Sequence, residues 1–248
     1  MGSARVPTIH SVNPGSVAAI LPLYNEGHAI ARLVERMPCR ITETFVVDDG
    51  SDDGGPASAS AAGARVLSHE GRRGVGAAIR TGIQAAREKG HWAVVVMAAN
   101  GKDDPAEAPR LIEALESGYD YVQGSRYLAS GGASINLPLG RSVMIRGYTL
   151  LFRLLSGFRV SDVTNGFRAY RLDLFDDPRI RIDQSWLDRY ELEYYIHWKV
   201  VTLGYRVIEV GVSKTYPTGG GNYSKIRRVR DWWSIVRPTI LLWLHLRS

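Results

Sequence analysis

The segments Leu21-Pro-Leu-Tyr-Asn-Glu26 and Phe45-Val-Val-Asp-Asp-Gly-Ser51 decide the fold of this chain. Each is an apolar run that stops at polar residues, which is typical of a buried parallel strand whose carboxyl end opens into a loop. In open α/β sheets, ligands bind in the crevice at these carboxyl ends. The two segments therefore predict a small-molecule site. Turn or helix-cap roles are the alternative for either segment taken alone, because Asn and Asp favour both.

The rest of the chain extends this pattern around one sheet. Strand-like and helical runs alternate as far as residue 125, which predicts βαβ units and a mainly parallel sheet flanked by helices. No repeat or linker divides the chain, so we expect a flexible arm over 1–16 and a single α/β domain over 17–248. The predicted strands are 17–23, 44–47, 65–67, 92–97, 119–123, 166–171 and 206–212, and the predicted helices are 29–37, 75–88, 105–116, 141–156, 190–203 and 226–248.

Composition narrows the class of protein. With 45% hydrophobic and 23% charged residues over 248 positions, the chain has the composition of a globular protein with a sizeable core. Its single cysteine, Cys39, excludes an intramolecular disulfide, and no signal-peptide pattern opens the sequence. We therefore expect a cytoplasmic protein.

Most of the net charge of +6 lies at the C-terminal end, where residues 225–248 hold six basic residues against one acid, together with three tryptophans. This pattern fits an anionic lipid or substrate, and the lack of basic clusters elsewhere argues against nucleic acid. The apolar run 235–246 is about half the length needed to span a bilayer, and Pro238 interrupts it. This amphipathic segment is expected to lie on the inner face of the cell membrane, or to pack on its own domain or on a second subunit of a homodimer.

A glycine-rich loop, His69-Glu-Gly-Arg-Arg-Gly-Val-Gly-Ala77, leaves a predicted strand and enters a predicted helix. Gly74 and Gly76 would let the backbone approach a ligand closely. The helix N-terminus, with Arg72 and Arg73, favours an anion. The loop is not the dinucleotide fingerprint, which needs a third glycine in the spacing G-x-G-x-x-G and a place after the first strand.

The order of the motifs is more specific than any one of them. P-x-Y-N-E, V-V-D-D-G-S and R-G-x-G-A-A are followed by G-S-R-Y at 124–127 and D-x-T-N-G-F-R-A-Y at 162–170. This series, spread over about residues 18–225, resembles the family 2 glycosyltransferases with the GT-A fold. It looks closest to the branch of dolichyl-phosphate mannose synthases and other polyprenyl-phosphate sugar transferases. The resemblance implies an inverting enzyme that takes a sugar from a UDP- or GDP-linked donor.

The resemblance also implies roles for individual residues. Residues 17–125 would form the nucleotide-binding half and 126–225 the acceptor half. Asp49, slightly favoured over Asp48, would accept a hydrogen bond from the base, while the other aspartate stabilises a turn. Gly76 and Ala77 would form the floor of the nucleotide site, and Arg126 and Arg168 would lie near the diphosphate or the acceptor. The remaining donor-side positions are Pro22, Tyr24, Asn25, Glu26, Ala99 and Asn100.

The chain departs from the family after the strand at 92–97. Members usually carry Asp-x-Asp there and bind a divalent metal that bridges the donor phosphates, whereas this chain reads Ala98-Ala99-Asn100. Mg²⁺ or Mn²⁺ prefers charged oxygens, so Asn100 alone would hold it weakly. Asp103 or Asp104 could substitute, although Asp104 before a proline is also a good N-cap. We therefore expect weak metal dependence, with cationic side chains stabilising the leaving diphosphate: Arg72, Arg73, Lys102, Arg126 and Lys225.

The acceptor decides whether a general base is needed. A polyprenyl phosphate is already an anionic nucleophile, whereas a hydroxyl of a glycan or natural product needs a carboxylate nearby. The candidates are Asp162, for which a loop-stabilising hydrogen bond is the alternative, and Glu191 or Glu193. These two glutamates are two residues apart on a predicted helix, so only one can face the site.

The region after the last predicted strand bears on the same choice of acceptor. The polyprenyl-phosphate branch often has an arginine and a G-x-S-K element there, and this chain has Lys214 and Ser224-Lys225. The lysine in place of the arginine argues against a lipid phosphate as the acceptor, while the basic tail argues for one. Gly219-Gly-Gly221 predicts a lid that closes over the donor, with a loop of no catalytic role as the alternative.

Two other functions compete with glycosyl transfer. The loss of the aspartate pair fits a non-catalytic subunit that binds a sugar nucleotide or acts as a scaffold, but the retained base-site motifs favour an enzyme. A sugar nucleotidyltransferase is disfavoured because its glycine-rich, lysine-bearing N-terminal signature is missing.

Overall fold

The computed structural model describes residues 15–27, 29–216 and 230–248. Strands in this part of the chain are β1 (Val17–Leu23), β2 (Ile41–Asp48), β3 (Arg65–Ser68), β4 (Ala93–Val96), β5 (Tyr121–Ser125), β6 (Ala133–Ile135), β7 (Arg168–Arg171), β8 (Val207–Gly211) and β9 (Ser213–Thr215). The α-helices are α1 (Ala29–Glu35), α2 (Gly55–Ala61), α3 (Val75–Glu88), α4 (Ala108–Glu116), α5 (Leu139–Ser156), α6 (Glu191–Thr202) and α7 (Arg230–Trp243).

Seven of these strands form a central sheet in the order β3-β2-β1-β4-β7-β5-β8. All neighbours in it are parallel except β7, which runs antiparallel to both β4 and β5. The short strands β6 and β9 pair with each other in a separate sheet. The predicted mainly parallel α/β sheet is therefore confirmed.

Alternating side chains of the central strands build two cores, one on each face of the sheet. On one face, Ile20 packs with α3, α5, α6 and α7, and on the other, Leu21 packs with α1 and α4. A continuous apolar run suits β1 because both of its faces are buried. The helices on both faces give the layered architecture that the sequence predicts.

The structure differs from the sequence-based expectation at short elements and at one proline. Helix α2 and strands β6 and β9 were not predicted, because their sequences, Gly-Pro-Ala-Ser-Ala-Ser-Ala, Ala-Ser-Ile and Ser-Lys-Thr, hold one large apolar residue between them and so show no hydrophobic periodicity. The expectation that Pro238 interrupts the C-terminal segment is wrong, since α7 continues through it. A proline removes one N–H from the helix, and burial of Ile235 and Leu242 in the core offsets that loss. The boundaries proposed for the N-terminal arm and the two halves of the domain stay predictions.

The sheet opens at the carboxyl ends of its central strands. β1 pairs with β2 along its whole length, as far as Leu23, but with β4 only as far as Ile20. The chain also reverses its direction across the sheet here, because β2 and β3 lie on one side of β1 and β4 lies on the other. A crevice at such a switch point is where α/β sheets bind ligands.

Candidate active site

The loops that follow β1 and β2 are fastened to each other at this crevice. Asn25 has a left-handed backbone with φ of 49°, which asparagine tolerates better than most residues. Its N–H donates to Ser51 Oγ over 3.0 Å, and its Oδ1 accepts from the Asp52 N–H over 3.0 Å. The Gly27 N–H donates to Asp53 Oδ2 over 2.7 Å. The two decisive segments of the sequence therefore form one wall of the crevice.

Tyr24 gives this wall an aromatic surface. The guanidinium of Arg72 lies 4.0 Å from the centre of the Tyr24 ring, within the range of a cation–π contact. Pro22, Tyr24 and Glu26 are all half-buried, so part of each side chain remains accessible. An aromatic face, an exposed cation and a carboxylate at one sheet edge suit a nucleoside bearing phosphates.

Asp48 and Asp49 are both buried, and they have different partners. Asp48 ends β2, and its Oδ1 accepts from the Ser51 N–H over 3.0 Å. Asp49 accepts from the N–H groups of Arg73 and Gly74, each over 2.8 Å, and contacts His69 Nδ1 at 2.9 Å. Asp49 thus organises the loop before α3. These contacts favour Asp48 over Asp49 as the carboxylate that accepts a hydrogen bond from the nucleotide base. The base contact itself stays a prediction for both.

Protein backbone covers the start of α3, where the sequence suggested the floor of a nucleotide pocket. The Ala77 N–H donates to the carbonyl oxygen of Asp188 over 2.9 Å. A Cβ atom on Gly76 would overlap with the carbonyl oxygens of Leu187 and Arg189. The close approach that glycine permits here is between two parts of the chain. Both residues are buried, and these contacts argue against Gly76 and Ala77 as the floor of the nucleotide site, a role that stays a prediction.

The loop after β4 carries the residues at the position of the family's metal site. Asn100 Oδ1 accepts from the Lys102 N–H over 3.2 Å. Asp103 is buried and forms an ion pair with Lys214, with 2.6 Å between Oδ1 and Nζ. Asp104 caps the following 3₁₀ turn by accepting from the Ala106 N–H over 3.1 Å, and it also pairs with Arg36. The capping role considered for Asp104 is confirmed.

These residues do not fit a divalent metal. Ala98 and Ala99 offer no side-chain oxygen, and Asp103 and Asp104 are engaged by cations and by backbone donors. No group of three or more acidic, histidine or cysteine side chains suited to a metal occurs among the described residues. Asn100, Asp103 and Asp104 as metal ligands are therefore not supported by the donor set of the site.

The loop after β4 carries a lysine side chain, Lys102, beside these positions. Lys102 is half-buried, and burial, followed by the positive charges of Arg141 and Lys214, lowers its pKa to about 8. Glu26 and Asp103 act in the opposite direction. Charged residues on both walls of the crevice therefore act electrostatically on the Lys102 ammonium.

Arg126 and Asp162 form a buried ion pair beside the crevice. Arg126 Nε lies 2.6 Å from Asp162 Oδ2, Nη2 lies 2.7 Å from Oδ1, and the side chains are 2% and 0% exposed. Burial alone would raise the pKa of Asp162, but the charge and hydrogen bonds of Arg126 outweigh it and keep that pKa below its usual value. Arg126 also donates to the Tyr216 hydroxyl over 2.6 Å. The pair links the G-S-R-Y and D-x-T-N-G-F-R motifs.

Arg168 lies inside the domain. It is buried and donates to the carbonyl oxygens of Asn165 and Val163 over 2.9 and 3.0 Å, and to the Tyr121 hydroxyl over 3.1 Å. These contacts fasten the D-x-T-N-G-F-R segment to the sheet. They favour a structural role for Arg168 over contact with the diphosphate or the acceptor.

The two candidate glutamates of α6 differ in exposure. Glu191 is buried, and its Oε1 lies 2.6 Å from Arg237 Nη2 in an ion pair that lacks hydrogen-bond geometry. Burial raises the pKa of Glu191. The Glu193 side chain is 14% exposed and lies 3.6 Å from Arg168 Nε. Glu193 is thus the more accessible of the two.

Some site residues were missed by the sequence analysis, and others lie outside the described residues. Arg141 and Tyr216 were not singled out, although both lie beside the crevice, with the Arg141 guanidinium 5.5 Å from the centre of the Tyr216 ring. A sequence signal for Arg141 exists, because residues 126–161 contain five arginines and no acid. The expectation that basic clusters are lacking outside the C-terminal tail is therefore wrong. The glycine-rich lid at 219–221 and Ser224-Lys225 fall outside the described part of the chain.

Comparison with known proteins supplies the family. The family model described as glycosyl transferase family 2 matches residues 18–177. The chain is 32% identical to a polyprenol monophosphomannose synthase of Mycolicibacterium smegmatis, over 79% of this chain and 76% of the relative. It is 31% identical to an undecaprenyl-phosphate mannosyltransferase of Micrococcus luteus, over 79% and 82% of the two chains. The chain belongs to glycosyl transferase family 2.

Family 2 membership makes the chain an enzyme that transfers glycosyl groups, and the structural comparison supports its fold. Glucosyl-3-phosphoglycerate synthase from Mycobacterium tuberculosis, solved with Mn²⁺, UDP and glucosyl-3-phosphoglycerate, superposes with a TM-score of 0.66 at 20% identity. The match covers 94% of this chain and 81% of the other. The GT-A-like architecture of this family 2 glycosyltransferase is therefore confirmed, while the alanines at 98 and 99 set its metal position apart from a carboxylate site. Among its described helices, none is long and apolar enough to cross a membrane.

Proposed function

We propose that this family 2 enzyme transfers a sugar, with inversion, from a UDP- or GDP-linked donor to a polyprenyl phosphate. The observation that carries the proposal is the crevice between β1 and β4, whose walls hold Tyr24, Asp48 and a cluster of cations. Relatives with 31–32% identity are named for polyprenyl-phosphate products or acceptors, which supports that acceptor class over a hydroxyl.

The carboxylates near the acceptor side also favour a phosphate acceptor. Asp162 is held by Arg126 and Glu191 by Arg237, so neither is placed to take a proton from a hydroxyl. A phosphate oxygen needs no base, because it already carries negative charge. In the proposed displacement, that oxygen forms a bond to the anomeric carbon, and the nucleoside diphosphate leaves with the electron pair of the broken C–O bond. If a hydroxyl is used instead, Glu193 is the accessible carboxylate.

We further propose that the acceptor is met at an anionic membrane surface. Helix α5 exposes Leu139, Val143, Leu150 and Leu154 along one stripe, with relative exposures between 54% and 86%. These positions recur at helical spacing, and the acid-free arginine-rich stretch 126–161 includes the whole helix. Arginines beside an exposed apolar stripe suit insertion at the headgroup level of anionic lipid. The contact predicted for residues 225–248 would add Trp243 and Leu246, which are also exposed.

Donor turnover distinguishes an enzyme from a binding subunit. We expect slow release of UDP or GDP from one sugar nucleotide in a panel, because water can attack the anomeric carbon when no acceptor occupies the site. Coupled detection of the released nucleoside diphosphate is the measurement. Binding of a donor in thermal-shift assays without any turnover, even with acceptor present, would instead indicate a non-catalytic sugar-nucleotide-binding or scaffolding subunit.

A further inference from the structure

The loop after β4 lies beside β9, and the two segments bring positive charges close together. The carbonyl oxygen of Lys102 accepts from the Thr215 N–H over 3.0 Å, and Asp103 forms a backbone bridge with Lys214. Lys102 and Lys214 therefore lie on two adjoining segments. The Arg141 guanidinium from α5 lies 5.5 Å from the centre of the ring of Tyr216, the residue after Thr215, and its charge acts on Lys102.

The charges in this cluster are not evenly matched. Lys214 Nζ is engaged by Asp103 at 2.6 Å and by Asn165 Oδ1 at 3.1 Å, so its charge is satisfied within the protein. Besides the paired Lys214 and Asp103, the charges that act on Lys102 are those of Arg141 and Glu26, so two cations, Lys102 and Arg141, face one carboxylate there. Arg141 Nε is a buried donor without a hydrogen-bond partner among the described residues. A buried donor of this kind is costly unless a ligand accepts from it.

We propose that Lys102, assisted by Arg141, binds the diphosphate of the donor and stands in for the divalent metal that the family's Asp-x-Asp motif would hold. This inference rests on the proposed function, since it requires a nucleoside-diphosphate donor in the crevice. As the bond between the anomeric carbon and the donor oxygen breaks, the electron pair stays on the diphosphate. Ammonium and guanidinium donors fixed at that position stabilise the charge as it develops. Lys214 acts as a positioning residue, because it holds Asp103 and with it the turn that carries Lys102.

Nucleotide binding to the full chain tests this inference without relying on activity. UDP and GDP are titrated calorimetrically in excess EDTA and again in MnCl₂, and the matching nucleoside is titrated alongside. We expect the nucleotide with the higher affinity to bind equally well in EDTA and in MnCl₂. Lys102→Met is expected to weaken the binding of that nucleotide about tenfold and to leave the affinity for the nucleoside unchanged, because the lost charge-assisted contact involves only phosphate. Lys102→Arg should retain most of the affinity.

Lys89→Met is the matched control, because Lys89 is an exposed lysine at the end of α3. It should bind both nucleotides like the parent. Binding that appears only with MnCl₂, or a Lys102→Met variant with unchanged nucleotide affinity, would overturn the inference while leaving the proposed function intact. Failure of UDP and GDP to bind under either condition would overturn the inference together with the proposed donor.

Discussion

Replacing Arg126 with methionine is expected to destabilise the folded protein by about 3–5 kcal/mol at neutral pH. Asp162 would remain fully buried with its charge uncompensated, and the hydrogen bond to Tyr216 would also be lost. The destabilisation should shrink in acid. Without Arg126, burial raises the pKa of Asp162, so the carboxyl binds a proton more readily and the cost of a buried charge falls. Urea unfolding followed by circular dichroism at neutral and acidic pH measures both effects.

An ion pair whose arginine is exposed provides the control for this experiment. Arg179 pairs with Asp177 over 2.6 Å, and the Arg179 side chain is 61% exposed. Arg179→Met should change the free energy of unfolding far less than Arg126→Met does, because water screens the charge of an exposed guanidinium. The double variant Arg126→Met/Asp162→Leu should recover most of the stability that Arg126→Met loses, since neither charge is then buried. Equal, small effects of Arg126→Met and Arg179→Met would show that the Arg126–Asp162 pair does not hold the two motifs together.

The second large effect is expected for Gly76→Ala at the start of α3. The new Cβ would overlap with the carbonyl oxygens of Leu187 and Arg189, so the 187–189 segment must move. That movement would strain the hydrogen bond from the Ala77 N–H to Asp188 and the ion pair between Arg80 and Asp188. Overpacking of this kind costs about 1–3 kcal/mol, which exceeds the helix propensity that alanine gains over glycine. Thermal and urea unfolding measure the change.

Gly71→Ala in the same loop is the matched control. An added Cβ at Gly71 meets nothing within 4 Å. Its effect on the free energy of unfolding should stay within about 0.5 kcal/mol. A Gly76→Ala variant as stable as Gly71→Ala would mean that the start of α3 is open, and it would support the prediction of a pocket floor at Gly76 and Ala77.

Local sequence patterns were enough to predict the sheet and the position of the crevice. β1 and β2 were recognisable because each is a continuous apolar run that ends at polar residues. A strand that is buried on both faces of a sheet needs such a run. The segments 21–26 and 45–51 do meet at one sheet edge, as their Asn25–Ser51 and Asn25–Asp52 hydrogen bonds show. The departure at Ala98 could also be read directly, because it depends only on which side chains are present.

The partners of the charged residues could not be predicted in the same way. Asp162 with Arg126 and Asp103 with Lys214 are pairs separated by 36 and 111 positions, so only the folded chain brings them together. The same holds for Gly76, whose lack of a side chain suits either a ligand or the 187–189 backbone. Arg168 illustrates the limit most clearly, because an arginine in a recognised motif suggests anion binding, whereas its burial and carbonyl partners place it in the core.

Transfer to a lipid acceptor tests the central claim most directly. The purified full chain is incubated in excess EDTA with UDP- and GDP-linked sugars and with undecaprenyl phosphate in anionic vesicles, and the extracted lipid is analysed by mass spectrometry. We predict a polyprenyl phosphate bearing one sugar from a single donor, with an equal amount of nucleoside diphosphate released. Absence of a glycosylated lipid with every donor, both in EDTA and after addition of MnCl₂, would contradict the account.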